Sequence, residues 1–141
     1  MKSYISYDQV TEYCKTLAEK LKDTKPDLIV GIARGGLVPA VHLSHLLNVP
    51  METLLWQTRD GGTFREHKHN ISEFLRLGKT VVFVDDINDT GTTFTKLREW
   101  HGDALYVALL ERPESTFECD YVGATLTDPS WIVYPWETSD E

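Results

Sequence analysis

Apolar positions recur with a helical step across residues 7–22, where Val10, Cys14, Leu17, Ala18 and Leu21 fall on one face. Ser6 and Gln9 have the spacing of a capping box at its start, and Lys25-Pro26 ends the segment. The pattern then changes to short apolar runs. Residues 28–32, 51–56, 80–84, 104–110 and 120–126 read as strands. Residues 37–47 and 92–100 read as helices between them, the first with Pro39 in its opening turn, where proline is tolerated. Residues 71–77 fit a helical turn or a strand edge. The stretch 58–70, TRDGGTFREHKHN, has no periodicity and mixes glycines with basic side chains, so it reads as a long mobile loop of the kind that often forms a lid.

Helices alternating with buried strands predict an α/β fold with a mostly parallel sheet flanked by helices. In such sheets ligands sit beyond the carboxyl ends of the strands. Two unusual turns lie at such ends: Ala33-Arg34-Gly35-Gly36 and residues 85–93. A length of 141 residues favours one domain, and 41% apolar with 26% charged residues is the balance of a globular protein. No apolar run reaches the ~18 residues of a membrane span. The start MKSYISYDQ lacks the apolar core of a signal peptide. Cys14 and Cys119 are too few and too far apart for a disulfide framework or a cysteine zinc site. A reducing cytoplasm is the expected location, with both cysteines structural. A net charge of −8 argues against a nucleic-acid partner held by its phosphates. It leaves room for a small anion held by backbone amides and a metal. The chain has no internal repeat, and its acidic tail ETSDE is expected to fray.

The most informative stretch is VVFVDDINDTGTT, residues 81–93. An apolar strand stops on Asp85 and Asp86, Asp89 follows, and Thr90-Gly91-Thr92-Thr93 leads into a helix. Small residues let amides approach a ligand, and a helix N-terminus favours an anion, so the turn describes a phosphate cradle. The carboxylates suit ribose hydroxyls, a divalent cation or proton transfer. A calcium loop fits Asp86, Asn88 and Gly91 but would put Leu97 where glutamate belongs. Neither glycine-bearing turn has the Gly-Lys-Ser/Thr of a Walker loop. Gly31-x-Ala33-x-x-Gly36 is a near miss to a dinucleotide fingerprint. One aspartate alone would read as a strand end or a helix cap. Three acids with the Thr-Gly-Thr-Thr turn favour a site.

These residues resemble the signature of the type I phosphoribosyltransferases: an apolar strand, two acids, a short spacer with an acid, then Thr-Gly and small residues. ARGGLVPA at 33–40 is similar to the pyrophosphate loop of the xanthine-guanine subgroup, and WIVYPW at 131–136 to its purine site. Order, spacing and length agree over nearly the entire chain. The resemblance implies one phosphoribosyltransferase domain over residues 1–141: a core of about 1–126, a lid of about 58–70 and a C-terminal purine-binding hood of about 127–137. It implies transfer of ribose 5-phosphate from phosphoribosyl pyrophosphate to a 6-oxopurine with Mg²⁺, in a homodimer or homotetramer. Asp89, Thr90, Gly91, Thr92 and Thr93 would hold the 5-phosphate. Asp85 and Asp86 would face the ribose hydroxyls, with Asp86 the partner of Mg²⁺. Asp89 would exchange a proton at purine N7. Arg34 and Gly35 would bind pyrophosphate at a peptide that is often cis in this family. Trp131 would stack on the base, and the Ile132 carbonyl would read its exocyclic 2-position. Arg59, Arg65 and Lys68 would meet pyrophosphate from the lid.

Three residues depart from the family pattern. Thr92 stands where a second glycine is usual, and is where a displaced loop is expected. Arg112, before Pro113, stands where a lysine usually meets the purine 6-oxo group; it could equally form an ion pair with Glu111 or Glu114. Gln57-Thr58-Arg59 replaces the usual Ser-Tyr pair. Trp56, Trp100 and Trp136 read as packing, His42 and His45 as a helix surface or interface, and His67-Lys68-His69 as a solvated lid. Two other classes use similar letters. A nucleotide-sensing regulator that binds RNA is opposed by the negative charge, and a dinucleotide-binding oxidoreductase would leave residues 85–93 unexplained.

Overall fold

The computed structural model describes residues 1–57, 63–66 and 70–138. The chain opens with a short strand β1 (Lys2–Tyr4) and helix α1 (Tyr7–Leu21). The capping box forms as the spacing predicts: the Gln9 amide donates to Ser6 Oγ at 3.1 Å, and the Ser6 amide to Gln9 Oε1 at 2.9 Å. Then follow β2 (Leu28–Ala33), α2 (Leu37–Leu47), β3 (Met51–Gln57), β4 (Thr63–Glu66) and α3 (Asn70–Arg76). The second half contains β5 (Val81–Asn88), α4 (Thr92–His101), β6 (Leu105–Glu111), β7 (Tyr121–Thr125) and β8 (Trp131–Val133).

Six strands form one sheet in the order β4-β3-β2-β5-β6-β7, parallel except for the antiparallel edge pair β3–β4. The apolar runs are continuous because both faces are covered. Ile29, Val82 and Val107 pack with Val10, Leu17 and Leu43 of α1 and α2. Their neighbours Val30, Phe83 and Ala108 face the other way and pack with Ile71, Phe94 and Leu97 of α3 and α4. This is the two-residue alternation of a strand buried on both sides.

The chain builds outward from β2 to β3 on one side, then returns to place β5 on the other. The order therefore reverses between β2 and β5, which is where a crevice opens in this architecture. Gly31 pairs with Val84, so the residues following β2 and those at the end of β5 emerge side by side.

Several boundaries differ from the sequence expectation. β5 does not stop at Val84 but runs to Asn88, because Asp85, Ile87 and Asn88 pair with Ala108, Leu110 and Glu111 of β6. Asp85 and Asp86 thus lie within the strand. Residues 63–66, expected in a loop, form β4 against residues 54–57 of β3. Residues 70–76 settle as a helix. β1 and β8, not anticipated as strands, pair in parallel and tie the N-terminus to residues 131–133. Trp56 packs partly buried against the core, whereas Trp100, expected as packing, is 53% exposed.

The face beneath α4 is aromatic. Phe94 is 1% exposed, with its ring 5.4 Å from Phe117 and 5.9 Å from Tyr106. Truncation leaves a cavity that neighbouring rings cannot fill. Phe94→Ala is expected to lower stability by about 3–5 kcal/mol, read as a fall in the urea midpoint with an unchanged slope.

Candidate active site

Two turns meet at the carboxyl ends of β2 and β5. After β2 the peptide Ala33–Arg34 is cis, at the turn where the family resemblance places one. The turn is closed by the Gly36 amide, which donates to the Ile32 carbonyl at 2.8 Å. Gly35 lies directly against Asp86: a Cβ there would fall 2.2 Å from Asp86 Oδ2. No larger residue fits while the carboxylate holds this position.

Asp85 and Asp86 are neighbours on β5. Asp85 Oδ1 accepts from the Asp86 amide and Asp86 Oδ1 from the Ile87 amide, each at 2.8 Å. Burial pushes both carboxyls above their ordinary range, and the Asp86 charge beside it pushes Asp85 further. A cavity of about 430 Å³ opens at Asp86, lined by Arg34, Gly35, Trp136, Glu137 and Thr138. A narrower one of about 90 Å³ shares Asp86 and Glu137 with it and continues to Asp89, Arg112, Trp131, Ile132 and Tyr134. Asp85 lines neither.

The turn after β5 presents Asp89, Thr90 and Thr92 at the surface. Gly91 caps α4 in the left-handed region, φ 95°, and a Cβ on it would lie 2.7 Å from the Phe117 amide nitrogen. The first amides of α4 have no partner within the helix; that of Thr92 makes a long bond of 3.4 Å to Thr90 Oγ1, and the turn as a whole faces outward as an anion site would. Thr92 takes the first helical position, its hydroxyl 3.1 Å from that of Thr90. The turn forms around Gly91 with Thr92 in place.

Arg112 is not paired with Glu111 or Glu114. Its Nε lies 2.8 Å from Asp89 Oδ1, while its other two nitrogens donate to the carbonyls of Asp128 and Ser130 at 2.8 and 2.5 Å. Parallel pairing of β6 with β5 explains the partner. Asn88 lies opposite Glu111, so Asp89 and Arg112 follow each other out of the sheet. Trp131 is 62% exposed, so it is not a core residue. The Trp131 amide and the Val133 carbonyl bond to the β1 strand and its flanks, and Ile132 between them turns its own amide and carbonyl away from β1.

Tyr134 had no sequence signal beyond its place in WIVYPW. It is buried, donates to the Asp86 carbonyl at 2.6 Å and stacks on Trp136 with ring centroids 4.7 Å apart. Burial and the nearby carboxylates keep its phenol protonated. Glu137 was also not singled out, although it lines both cavities. Of the basic residues assigned to the lid, Arg59 and Lys68 lie outside the described residues, and the backbone of Arg65 lies in β4 opposite Leu55.

The model of the phosphoribosyl transferase domain matches residues 6–140. A purine phosphoribosyltransferase from Pyrococcus horikoshii is similar in structure, with a TM-score of 0.81 and 34% identity over 97% of this chain and 95% of that one. A Neisseria gonorrhoeae protein solved with bound ppGpp superposes with a TM-score of 0.79 and 25% identity over 99% of this chain and 91% of that one. A xanthine-guanine phosphoribosyltransferase from Vibrio atlanticus is 29% identical over 98% of this chain and 90% of that protein.

The Gly35–Asp86 contact can be tested in a double-mutant cycle. Gly35→Ala is expected to cost about 1–3 kcal/mol in urea titrations, and markedly less when Asp86 is already alanine. Additive losses would show that the two residues do not press on each other.

Proposed function

The chain belongs to the phosphoribosyl transferase family, and we propose that it transfers ribose 5-phosphate from phosphoribosyl pyrophosphate to a 6-oxopurine, guanine, xanthine or hypoxanthine, with release of pyrophosphate, as a purine-salvage enzyme. The observation that carries the reading is the juxtaposition at the β2–β5 crevice. Arg34 and Gly35 share a cavity with Asp86, a narrower cavity runs on from Asp86 to Asp89 and Trp131, and the start of α4 follows Asp89 after a single glycine-centred turn.

The 5-phosphate is assigned to the amides and hydroxyls of Thr90, Gly91, Thr92 and Thr93, beside Asp89. Pyrophosphate is assigned to Arg34 and Gly35 in the larger cavity. Among the described residues, that cavity offers carboxylate oxygens from Asp86 and Glu137 and no sulfur or imidazole. Such a set fits Mg²⁺, which is held by one or two carboxylates together with substrate oxygens and water. Asp86 would hold the ion, and Mg²⁺ bound with the substrate supplies positive charge to the departing pyrophosphate. As the bond from C1 to pyrophosphate lengthens, the sugar gains cationic character, which the Asp86 carboxylate stabilises, with Asp85 behind it on β5 and outside both cavities. The base lies against Trp131, with its 2-position toward the Ile132 carbonyl. Asp89 Oδ is the proton acceptor at N7, and Arg112 holds that carboxylate in place while bracing the segment that carries Trp131.

The assay is incubation with Mg²⁺, phosphoribosyl pyrophosphate and each purine, with the monophosphate measured. Turnover of at least one 6-oxopurine is expected. A nucleotide-sensing regulator would instead bind ppGpp, the nucleotide held by the similar Neisseria protein, with no turnover of any base. Asp89→Asn should lower kcat by about 100-fold while leaving the KM for phosphoribosyl pyrophosphate within about threefold. Equal loss of both would remove the proton-transfer role. Arg112→Lys keeps the charge but loses the fork, and is expected to raise the purine KM about tenfold with little change in the other substrate. An unchanged purine KM would mean that the brace does not position the base.

A further inference from the structure

Asn88 ends β5 between the two carboxylates and the phosphate turn, and it is 2% exposed. A buried carboxamide is costly unless its bonds are met, so its partners show what it organises. Its Nδ2 donates to the Phe117 carbonyl at 2.6 Å and to Glu111 Oε2 at 2.8 Å, and its Oδ1 accepts from Ser115 Oγ at 3.1 Å. Both amide hydrogens are therefore used on the far side of the turn, on β6 and the segment after it.

That segment supports the turn directly. The Thr116 amide and hydroxyl both donate to the Thr90 carbonyl, at 3.0 and 2.9 Å. The Gly91 Cα rests so closely on residues 115–117 that a Cβ would meet the Phe117 amide and the hydroxyls of Ser115 and Thr116 at 2.7–2.8 Å. A continuous chain of contacts runs from the Asn88 carboxamide through residues 115–117 to Thr90 and Gly91. The Asn88 side chain lines neither cavity.

We propose that Asn88 is a positioning residue for the sugar-phosphate half of the site: its carboxamide holds residues 115–117, and they set where the amides at the start of α4 stand. An apolar side chain of equal size would fill the space but leave the Phe117 carbonyl and Ser115 hydroxyl without this partner, and the turn would lose its support. The inference rests on the phosphate reading of that turn, and the experiment separates the two.

Ribose 5-phosphate, titrated calorimetrically, is the probe. Wild-type protein is expected to bind it, and Asn88→Leu to bind it about tenfold more weakly, equivalent to about 1.4 kcal/mol. In turnover the same variant should raise the KM for phosphoribosyl pyrophosphate by a similar factor, with the purine KM within about twofold of wild type. Ser115→Ala removes the bond to Asn88 together with the hydroxyl's contacts to the Phe117 carbonyl and amide, and should weaken ribose 5-phosphate about threefold, which decides the matter if Asn88→Leu does not fold. A folded Asn88→Leu with a lower Tm but unchanged ribose 5-phosphate affinity overturns the inference, as does an equal rise in both KM values. Unchanged affinity in Ser115→Ala overturns it too. Failure of the wild type to bind ribose 5-phosphate overturns the phosphate reading itself, and the inference with it.

Discussion

The approach of the Asp86 carboxylate to the Cα of Gly35 sets the distance between the two turns on which the site depends. It exists because β2 and β5 are parallel neighbours in a register that brings their carboxyl ends out together. A side chain at position 35 would drive the turns apart. With glycine there, the arginine-bearing turn, the carboxylates and the start of α4 share one crevice. The two faces of aliphatic and aromatic packing hold the strands that carry them, and the reversal of strand order leaves their ends uncovered.

The electrostatics of that crevice reconcile an acidic chain with an anionic substrate. Net charge governs long-range steering, whereas binding at contact distance is decided by local dipoles and charges. The start of α4 and Arg34 are local sources of positive potential on the two turns that meet near the carboxylates. Asp85 and Asp86 are neighbours on β5; burial raises both carboxyls, and the Asp86 charge raises Asp85 further. In the proposed reaction a cation, or a sugar becoming cationic, beside Asp86 would offset that effect of burial. On that proposal the carboxylates serve the reacting centre and not the phosphates.

Much of this was legible in the sequence because it is local. Continuous apolar runs marked the parallel strands, and VVFVDDINDTGTT carried strand, carboxylates, cap and helix start in consecutive letters. What was not legible depends on partners far along the chain. Arg112 has acidic neighbours at 111 and 114, yet its carboxylate is Asp89, supplied by the register of β5 with β6. Asn88 looked like a spacer between acids, and only the fold reveals that its carboxamide meets residues 111, 115 and 117. β1 and β8 have three residues each, too short for a period to show. β4 was hidden in a polar stretch because an edge strand of four residues has little apolar demand on it.

The short β1–β8 ribbon joins the segment bearing Trp131 to the end of β5. Two three-residue strands have little stability alone. They are fastened to the main sheet by side chains that end on one segment of β5 and its turn. Tyr134 donates to the Asp86 carbonyl, and Arg112 joins the carbonyls of Asp128 and Ser130 to the Asp89 carboxylate. The stacked Tyr134–Trp136 pair continues this support beneath the slot. Residues 86–89 therefore anchor both the Asp86 and Asp89 carboxylates and the segment bearing Trp131. A shift of that strand end would carry the segment bearing Trp131 with it, because the Tyr134 and Arg112 bonds join the two directly.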